Sequence, residues 1–220
     1  MENQKLSING DDFEDILIRT ENSFGITFNE DDFYTGMTFD DFCKCIESKI
    51  DGENTGGCTS QQAFYKVKEA LITLNISDKQ SIKPNTPIAD VLGQNRKQSA
   101  NYLNSQLGIK LDLFEIPGYI AAPFGIICLI SFIAMFFKWE FASGFGISIA
   151  TLYVASKLTT NLRYKTVSEL VNHLVIHNYK DVRRNKDSYN KNEIETLIKQ
   201  LFLNICALEE DELSPKTILL

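Results

Sequence analysis

The residues of this chain that are capable of chemistry are few and widely spaced. His173 and His177 stand four residues apart, the spacing of two metal ligands on one face of a helix. They do not form a His-Glu-x-x-His pattern and no third ligand is evident, so we expect packed or exposed histidines. Cys43 and Cys45 also lack a second pair of ligands, so we expect the five cysteines to be free thiols of a reducing compartment.

Acidic side chains near the start of the chain are the best candidates for a binding surface. Residues 1–50 contain twelve Asp and Glu against four Lys and Arg, a net charge of −8 in a chain whose total is −7. A surface of this sign repels nucleic acid and attracts basic proteins. The predicted docking residues, which we expect to bind a basic protein partner, are Asp11, Asp12, Glu14, Asp15 and Glu21.

Patterns of known catalytic sites are missing from the sequence. It contains no Gly-rich phosphate loop, no nucleophile elbow and no carboxylate pair in a recognisable setting. We therefore expect that the protein is not an enzyme.

Two apolar stretches predict membrane-spanning helices. Residues 116–137 carry no charged side chain, and residues 141–156 carry none after the short segment Lys138-Trp139-Glu140. The first stretch has the ~20 apolar residues that a helix needs to cross a bilayer. The pair predicts a transmembrane helical hairpin, residues 116–162, that enters and leaves on one side. Positive residues flank it at Lys110, Arg163 and Lys165, so we expect both termini and the helical bundles in the cytoplasm, at the inner (cytoplasmic) membrane.

The segments outside the apolar stretches contain an internal repeat. Residues 60–74 and 192–205 show the same helical stripe of apolar positions. Each is followed by the pattern apolar-x-Pro-x-Thr-x-apolar, at 82–88 and at 213–219, an offset of 131 residues (213 − 82). A motif match that follows matching helices favours a true repeat.

Two further similarities locate the hairpin inside one copy of the repeat. Residues 24–28 resemble residues 107–111 at an offset of 83, and residues 38–42 resemble residues 166–170 at an offset of 128. The offsets differ by 45 residues (128 − 83), and the apolar hairpin lies in this extra length.

The repeat predicts an all-α fold of two small helical bundles plus a two-helix transmembrane hairpin. One bundle, residues 1–52 with 187–220, is circularly permuted and split between the chain ends. The other, residues 59–113 with 163–182, carries the hairpin 116–162 as an insertion. The split bundle can close within one chain or by domain swapping in a homodimer. A single body of loosely packed amphipathic helices is the alternative.

The bundles resemble acyl carrier proteins. In residues 13–50, an acidic helix leads into the turn Phe24-Gly25-Ile26, the acidic segment Glu30-Asp31-Asp32 and a helix capped by Thr38, in the order found in the second half of that family. Residues 192–219 resemble the family's first helix and the loop after it. The other bundle is a fainter likeness.

The resemblance implies a phosphopantetheine arm on the serine of an Asp-Ser-Leu motif, and this chain departs from that motif. The family's spacing places the serine near Gly10 and, in the other copy, near Gly93. Ser7 and Ser99 lie nearby but out of frame, and neither precedes a leucine. We therefore expect no phosphopantetheine cofactor, with Ser7 as the one weak candidate for its attachment.

These observations predict a membrane-anchored adaptor that resembles acyl carrier proteins and docks partner proteins. The resemblance suggests acyl- or lipid-metabolising enzymes as those partners. One alternative is a functional acyl carrier, modified on a non-standard serine or completed by a partner chain. Another is a structural or immunity-like small membrane protein.

Overall fold

The chain is predominantly helical. The computed structural model describes residues 5, 6, 8–73, 82–183 and 188–219. Over these residues it contains ten α-helices and one pair of two-residue strands, so the predicted all-α class is confirmed. The chain forms two compact units: Met1–Glu69 with Ser168–Leu220 is the first, and Ala70–Val167 is the second. The bundle boundaries expected from the repeat stay a prediction.

The elements follow each other along the chain with short connections. The α-helices are α1 (Gly10–Phe24), α2 (Phe39–Lys49), α3 (Thr59–Thr73), α4 (Ile88–Leu92), α5 (Arg96–Leu107), α6 (Gly118–Met135), α7 (Ala142–Leu158), α8 (Val167–His177), α9 (Tyr179–Val182) and α10 (Lys191–Cys206). Short 3₁₀ turns lie at Glu30–Asp32 and Trp139–Phe141. The strands β1 (Glu53–Asn54) and β2 (Ser188–Tyr189) pair in parallel.

The core of the first unit forms where α10 packs against α1 and α2. The ring of Phe202 on α10 meets Phe39 and Phe42 of α2 edge-on, with centroids 5.6 and 5.7 Å apart. All three side chains are at most 1% exposed. Aromatic pairs in this geometry stabilise a core beyond the area they bury, so this cluster holds α10 in place.

Local signals in the sequence set the helix ends in the first unit. The Thr38 hydroxyl accepts a hydrogen bond from the Asp41 amide at 3.2 Å, and the Asp41 carboxylate accepts one from the Thr38 amide at 3.1 Å. This is the capping box predicted from the sequence, and it begins α2. At the end of α1, Gly25 adopts the left-handed conformation (φ 70°) and its amide donates to the Glu21 carbonyl.

Segments from the two ends of the chain meet in the first unit. The Leu6 amide donates to the Ile218 carbonyl at 2.9 Å. The Leu219 amide donates to the Met37 carbonyl at 2.8 Å, and the Phe39 amide donates to the Thr217 carbonyl at 2.9 Å. Residues 217–219 therefore lie between the segment around Leu6 and the start of α2.

The second unit contains equivalent hydrogen bonds at the sequence offsets of the repeat. The Ile88 amide donates to the Lys165 carbonyl at 2.9 Å, and the Val167 amide donates to the Thr86 carbonyl at 3.0 Å. Subtracting 131 from Leu219 and Thr217 gives Ile88 and Thr86. Adding 128 to Met37 and Phe39 gives Lys165 and Val167. The sequence similarity thus extends to backbone pairing.

The turn after α5 repeats the turn after α1 in the same way. Gly108 is left-handed (φ 68°) and its amide donates to the Asn104 carbonyl, as the Gly25 amide donates to the Glu21 carbonyl. The Asn104 side chain then accepts from the Leu111 amide at 3.2 Å, and the Glu21 carboxylate accepts from the Phe28 amide at 2.7 Å. Each pair of positions differs by 83 residues.

A short antiparallel backbone pair closes the base of the segment that contains α6 and α7. The Arg163 amide donates to the Leu113 carbonyl and the Glu115 amide donates to the Asn161 carbonyl, both at 3.0 Å. Phe114 lies opposite Leu162. The chain therefore enters and leaves the segment that contains α6 and α7 at adjacent positions.

The Pro-x-Thr loops provide a matched test of stability. In each loop the threonine hydroxyl accepts a hydrogen bond from a backbone amide. The Ser214 amide donates to the Thr217 hydroxyl at 2.9 Å, and the Lys83 amide donates to the Thr86 hydroxyl at 2.8 Å. We expect Thr217→Val and Thr86→Val each to destabilise the protein by about 1 kcal/mol, because the amide loses its acceptor. The measurement is thermal unfolding in detergent, followed by circular dichroism.

The control for this test is Thr27→Val, at an exposed position. Equal unfolding midpoints for Thr27→Val, Thr217→Val and Thr86→Val would contradict the structural role of the two loop hydroxyls.

Candidate membrane hairpin and docking surface

The two apolar helices are long enough to cross a membrane and are almost uncovered by the rest of the chain. The segments Gly118–Met135 and Trp139–Leu158 have 18 and 20 residues, and in an 18-residue stretch of each only 6% of the residues are buried. At 1.5 Å per residue the first is about 27 Å long, close to the ~30 Å of a bilayer's hydrocarbon core. A core helix of a soluble protein is instead mostly covered. Large exposed side chains on these helices include Ile126, Leu129, Ile130, Phe132, Ile133, Ile147 and Val154.

Small residues bring α6 and α7 into close contact. A Cβ atom at Gly144 on α7 would lie 3.0 Å from the Ser131 hydroxyl oxygen on α6. Ser148 is 2% exposed and its hydroxyl donates to the Gly144 carbonyl at 2.8 Å. Close approach of this kind is how helices pack in lipid, where no hydrophobic effect drives them together.

Aromatic side chains lie at both ends of the helix pair. Tyr119, at the start of α6, and Trp139, in the turn between the helices, are each 79% exposed. The Lys157 ammonium lies 5.6 Å from the ring centre of Tyr153 near the end of α7. Tyrosine and tryptophan in these places are typical of the two interfaces between a bilayer and water.

The structure divides the predicted docking residues into two groups. Asp11 and Glu14 are exposed and Asp12 is half-buried, and among the described residues none of the three forms an ion pair. Asp15 instead pairs with Arg19, one helical turn away, at 2.9 Å. Glu21 is held by the hydrogen bond from the Phe28 amide. The free carboxylates therefore lie in the first half of α1.

An exposed apolar side chain accompanies these carboxylates. Ile18 is 48% exposed and lies one turn after Glu14, so the two share a face of α1. A face that combines carboxylates with one large apolar residue can contact a basic surface through both charge and apolar area.

A second acidic segment, Glu209-Glu210-Asp211-Glu212, was not predicted from the sequence to belong to a docking surface. It follows the end of α10, a helix that packs against α1. Burial, and after it the nearby Asp12 carboxylate, raises the pKa of the Cys206 thiol at the end of α10. Four consecutive acidic residues were the available signal, but only the packing of α10 associates them with α1.

Of the two serines near the expected attachment point, the structure describes Ser99 alone, and its hydroxyl is engaged. Ser7 lies outside the described residues. Ser99 is 4% exposed, and its hydroxyl donates to the Leu92 carbonyl at 2.8 Å. An arm on Ser99 would require this side chain to leave the core. The positions that match the family's serine, Gly10 and Gly93, are the first residue of α1 and the residue after α4.

The histidine pair and the cysteines are not arranged as a metal site in the described residues. The rings of His173 and His177 are 4.3 Å apart. Burial, and secondarily the Arg19 guanidinium, lowers the pKa of His177 below its usual range. Within the described residues no group of three or more His, Cys, Asp or Glu is placed to hold a metal ion. All five cysteines are free thiols.

The likeness to acyl carrier proteins depends on this chain alone. Comparisons with models of protein families, with curated proteins and with solved structures gave no match. The residues that carry the likeness are the turn Phe24-Gly25-Ile26 and the cap at Thr38, whose conformations are described above.

The contact between α6 and α7 leads to a prediction about hairpin packing. We expect Gly144→Val to lower the unfolding midpoint in detergent by several degrees, because overpacking against Ser131 costs about 1–3 kcal/mol. Gly146→Val is the matched control on the same helix, since nothing lies within 4 Å of a Cβ atom there. The fluorescence of Trp139, the one tryptophan of the chain, reports unfolding near the hairpin turn. Equal effects of the two variants would contradict this packing.

Proposed function

We propose that this protein is a membrane-anchored, non-enzymatic adaptor built from two acyl-carrier-like helical modules. The hairpin, residues 116–162, anchors the chain in the cytoplasmic membrane, and the helical modules dock partner proteins at the cytoplasmic face. The observation that carries the proposal is the uncovered apolar surface of the two helices: only 6% of the residues in an 18-residue stretch of Gly118–Met135 and of Trp139–Leu158 are buried. Water disfavours such a surface, whereas lipid tails accommodate it.

The equivalent hydrogen bonds support the interpretation as two modules. Bonds that involve Thr217 and Leu219 in the first unit have counterparts at Thr86 and Ile88 in the second. In the first unit the segment between Phe28 and Met37 contains only a 3₁₀ turn. In the second unit the equivalent segment contains α6 and α7. The hairpin thus occupies a loop position of a carrier-like module.

The distribution of charge supports the proposed orientation. Lys110, Lys157, Arg163 and Lys165 surround the base of the hairpin in sequence, whereas the turn between α6 and α7 carries Lys138 and Glu140, whose charges cancel. Positive residues next to a span remain in the cytoplasm. The base, the modules and both termini are therefore proposed to lie on that side.

The proposed docking face is the first half of α1, with Asp11, Asp12, Glu14 and Ile18. Its chemistry fits a partner with a basic surface around an apolar patch. Acyl- or lipid-metabolising enzymes are the proposed partners, on the basis of the resemblance to acyl carrier proteins. Charge pairs on such a face accelerate association and select the partner more than they add affinity, and salt weakens them.

Membrane anchorage is tested by removing the hairpin. Replacing residues 116–160 with Asn-Gly joins Glu115 to Asn161, which are already paired by a hydrogen bond, through a two-residue hairpin turn. We expect the full chain to sediment with membranes after carbonate washing and to need detergent for extraction. The shortened chain is expected to stay in the supernatant, since the apolar helices are gone.

Two results would refute anchorage. One is a full chain that remains monodisperse in the supernatant after ultracentrifugation without detergent. The other is a shortened chain that stays in the carbonate-washed membrane fraction while keeping the helical circular dichroism of a folded protein.

Docking is tested by reversing two carboxylates. We expect Asp11→Lys with Glu14→Lys to reduce capture of partner proteins from solubilised native membranes by about tenfold, because basic partners then meet like charge. The matched control is Asp51→Lys with Glu53→Lys, which makes the same change of charge at two exposed positions outside α1. Quantitative mass spectrometry measures capture. Equal profiles for the two double variants would count against this docking face.

A further inference from the structure

A cavity lies at the base of the hairpin, where α6 begins and α7 ends. It has a volume of about 490 Å³. Its walls come from the first turns of α5 and α6, the last turn of α7 and the segment that follows α7. The lining residues that matter here are Arg96, Tyr119, Ile120, Leu158, Thr159 and Asn161.

An apolar groove continues from this cavity along α7. The groove has a volume of about 520 Å³ and shares Ile120 and Ala155 with the cavity. Its other lining residues are Ile147, Ala150, Thr151 and Val154. The two spaces together form one amphipathic site, with charge at the base of the hairpin and an apolar trough along the helix.

Two basic side chains contact backbone carbonyls at the end of α7, next to the cavity. One Arg96 guanidinium nitrogen donates to the Thr160 carbonyl at 3.3 Å, and the Lys97 ammonium donates to the Lys157 carbonyl at the end of α7. A guanidinium has five N–H donors in a planar fork, so Arg96 retains donors for an anion. Of these side chains Arg96 lines the cavity, whereas the Lys157 ammonium lies over the ring of Tyr153.

The two acidic groups nearby do not line the cavity itself. Asp90 lines a neighbouring cavity together with Arg96. The Asn161 side-chain amide donates a hydrogen bond to the Glu115 carboxylate at 3.4 Å, at the base of the hairpin. Arg96 is thus the one charged side chain among the described residues that line the cavity, and its positive charge favours an anionic ligand over a zwitterionic one.

The position of the site along the helices identifies the source of the anion. The cavity lies where α6 begins and α7 ends, beside the exposed Tyr119, at the depth where a bilayer places its phosphate groups if the hairpin spans it. A phospholipid there has its phosphate beside Arg96 and an acyl chain beside Ile147 and Val154. An arginine fork matches the geometry of phosphate oxygens.

We propose that this site binds one anionic phospholipid of the surrounding bilayer, with the phosphate held by Arg96 and one acyl chain lying in the groove along α7. The proposal rests on the membrane anchorage proposed above. It adds a specific lipid requirement at the base of the hairpin, and basic pockets beside spans are a known way to hold anionic headgroups.

The test uses the full-length protein purified in a mild detergent, with phosphatidylglycerol, phosphatidylcholine and inorganic phosphate as separate probes. Native mass spectrometry counts bound lipid, and Trp139 fluorescence follows thermal stabilisation. We expect one phosphatidylglycerol to be retained, with little retention of phosphatidylcholine and little stabilisation by phosphate. Arg96→Gln should weaken phosphatidylglycerol retention about tenfold, because a charge-assisted hydrogen bond is lost.

Two further variants separate lipid binding from structural damage. Arg163→Gln makes the same change of charge at an exposed residue that does not line the cavity, and it should leave retention unchanged. Arg96→Lys keeps the charge without the fork and should give intermediate retention. Equal retention by Arg96→Gln and Arg163→Gln, equal retention of both lipids, or full stabilisation by phosphate alone would each overturn the lipid site. None of these results affects sedimentation with membranes, so anchorage is judged independently.

Discussion

The antiparallel backbone pair at the base of the hairpin is the constraint on which the second unit depends. It joins Leu113 to Arg163 and Glu115 to Asn161 through hydrogen bonds, and opposed residues in such a pair lie only about 4.5–5.5 Å apart. The long insertion thus leaves and returns at one place. Hydrogen bonds outside the insertion, such as that from the Val167 amide to the Thr86 carbonyl, match those of the first unit, which has no such insertion.

A hairpin solvated by lipid must satisfy its own polar groups with hydrogen bonds. In α6 and α7 few side chains take part in these bonds. The backbone groups are paired within the helices, and the Ser148 hydroxyl donates a hydrogen bond to the Gly144 carbonyl. The same glycine allows the close approach of α6. Charged residues appear only at the ends of the helices, where the Lys157 ammonium lies 5.6 Å from the ring centre of Tyr153. Close helix packing and the pairing of a buried hydroxyl therefore use the same few small side chains.

The sequence predicted those features whose causes are local. The cap at Thr38 and the glycine turn at Gly25 depend on residues within one helical turn, and repeated spacing revealed their counterparts. It could not predict that the Glu193 carboxylate accepts the amides of Thr59 and Ser60, because these residues are more than 130 positions apart. It also treated all acids of α1 alike. Only the fold shows that Glu21 is committed to the Phe28 amide while others remain free.

The meeting of Leu6 with Ile218 imposes an order on biosynthesis. The apolar hairpin emerges from the ribosome before residues 213–219 exist, and at ~5–20 residues per second the delay lasts several seconds. During that interval α1 and α2 lack α10, which covers Phe42 in the finished unit. The first unit is thus completed only after the hairpin has been synthesised, and until then Phe42 lacks its aromatic partner Phe202.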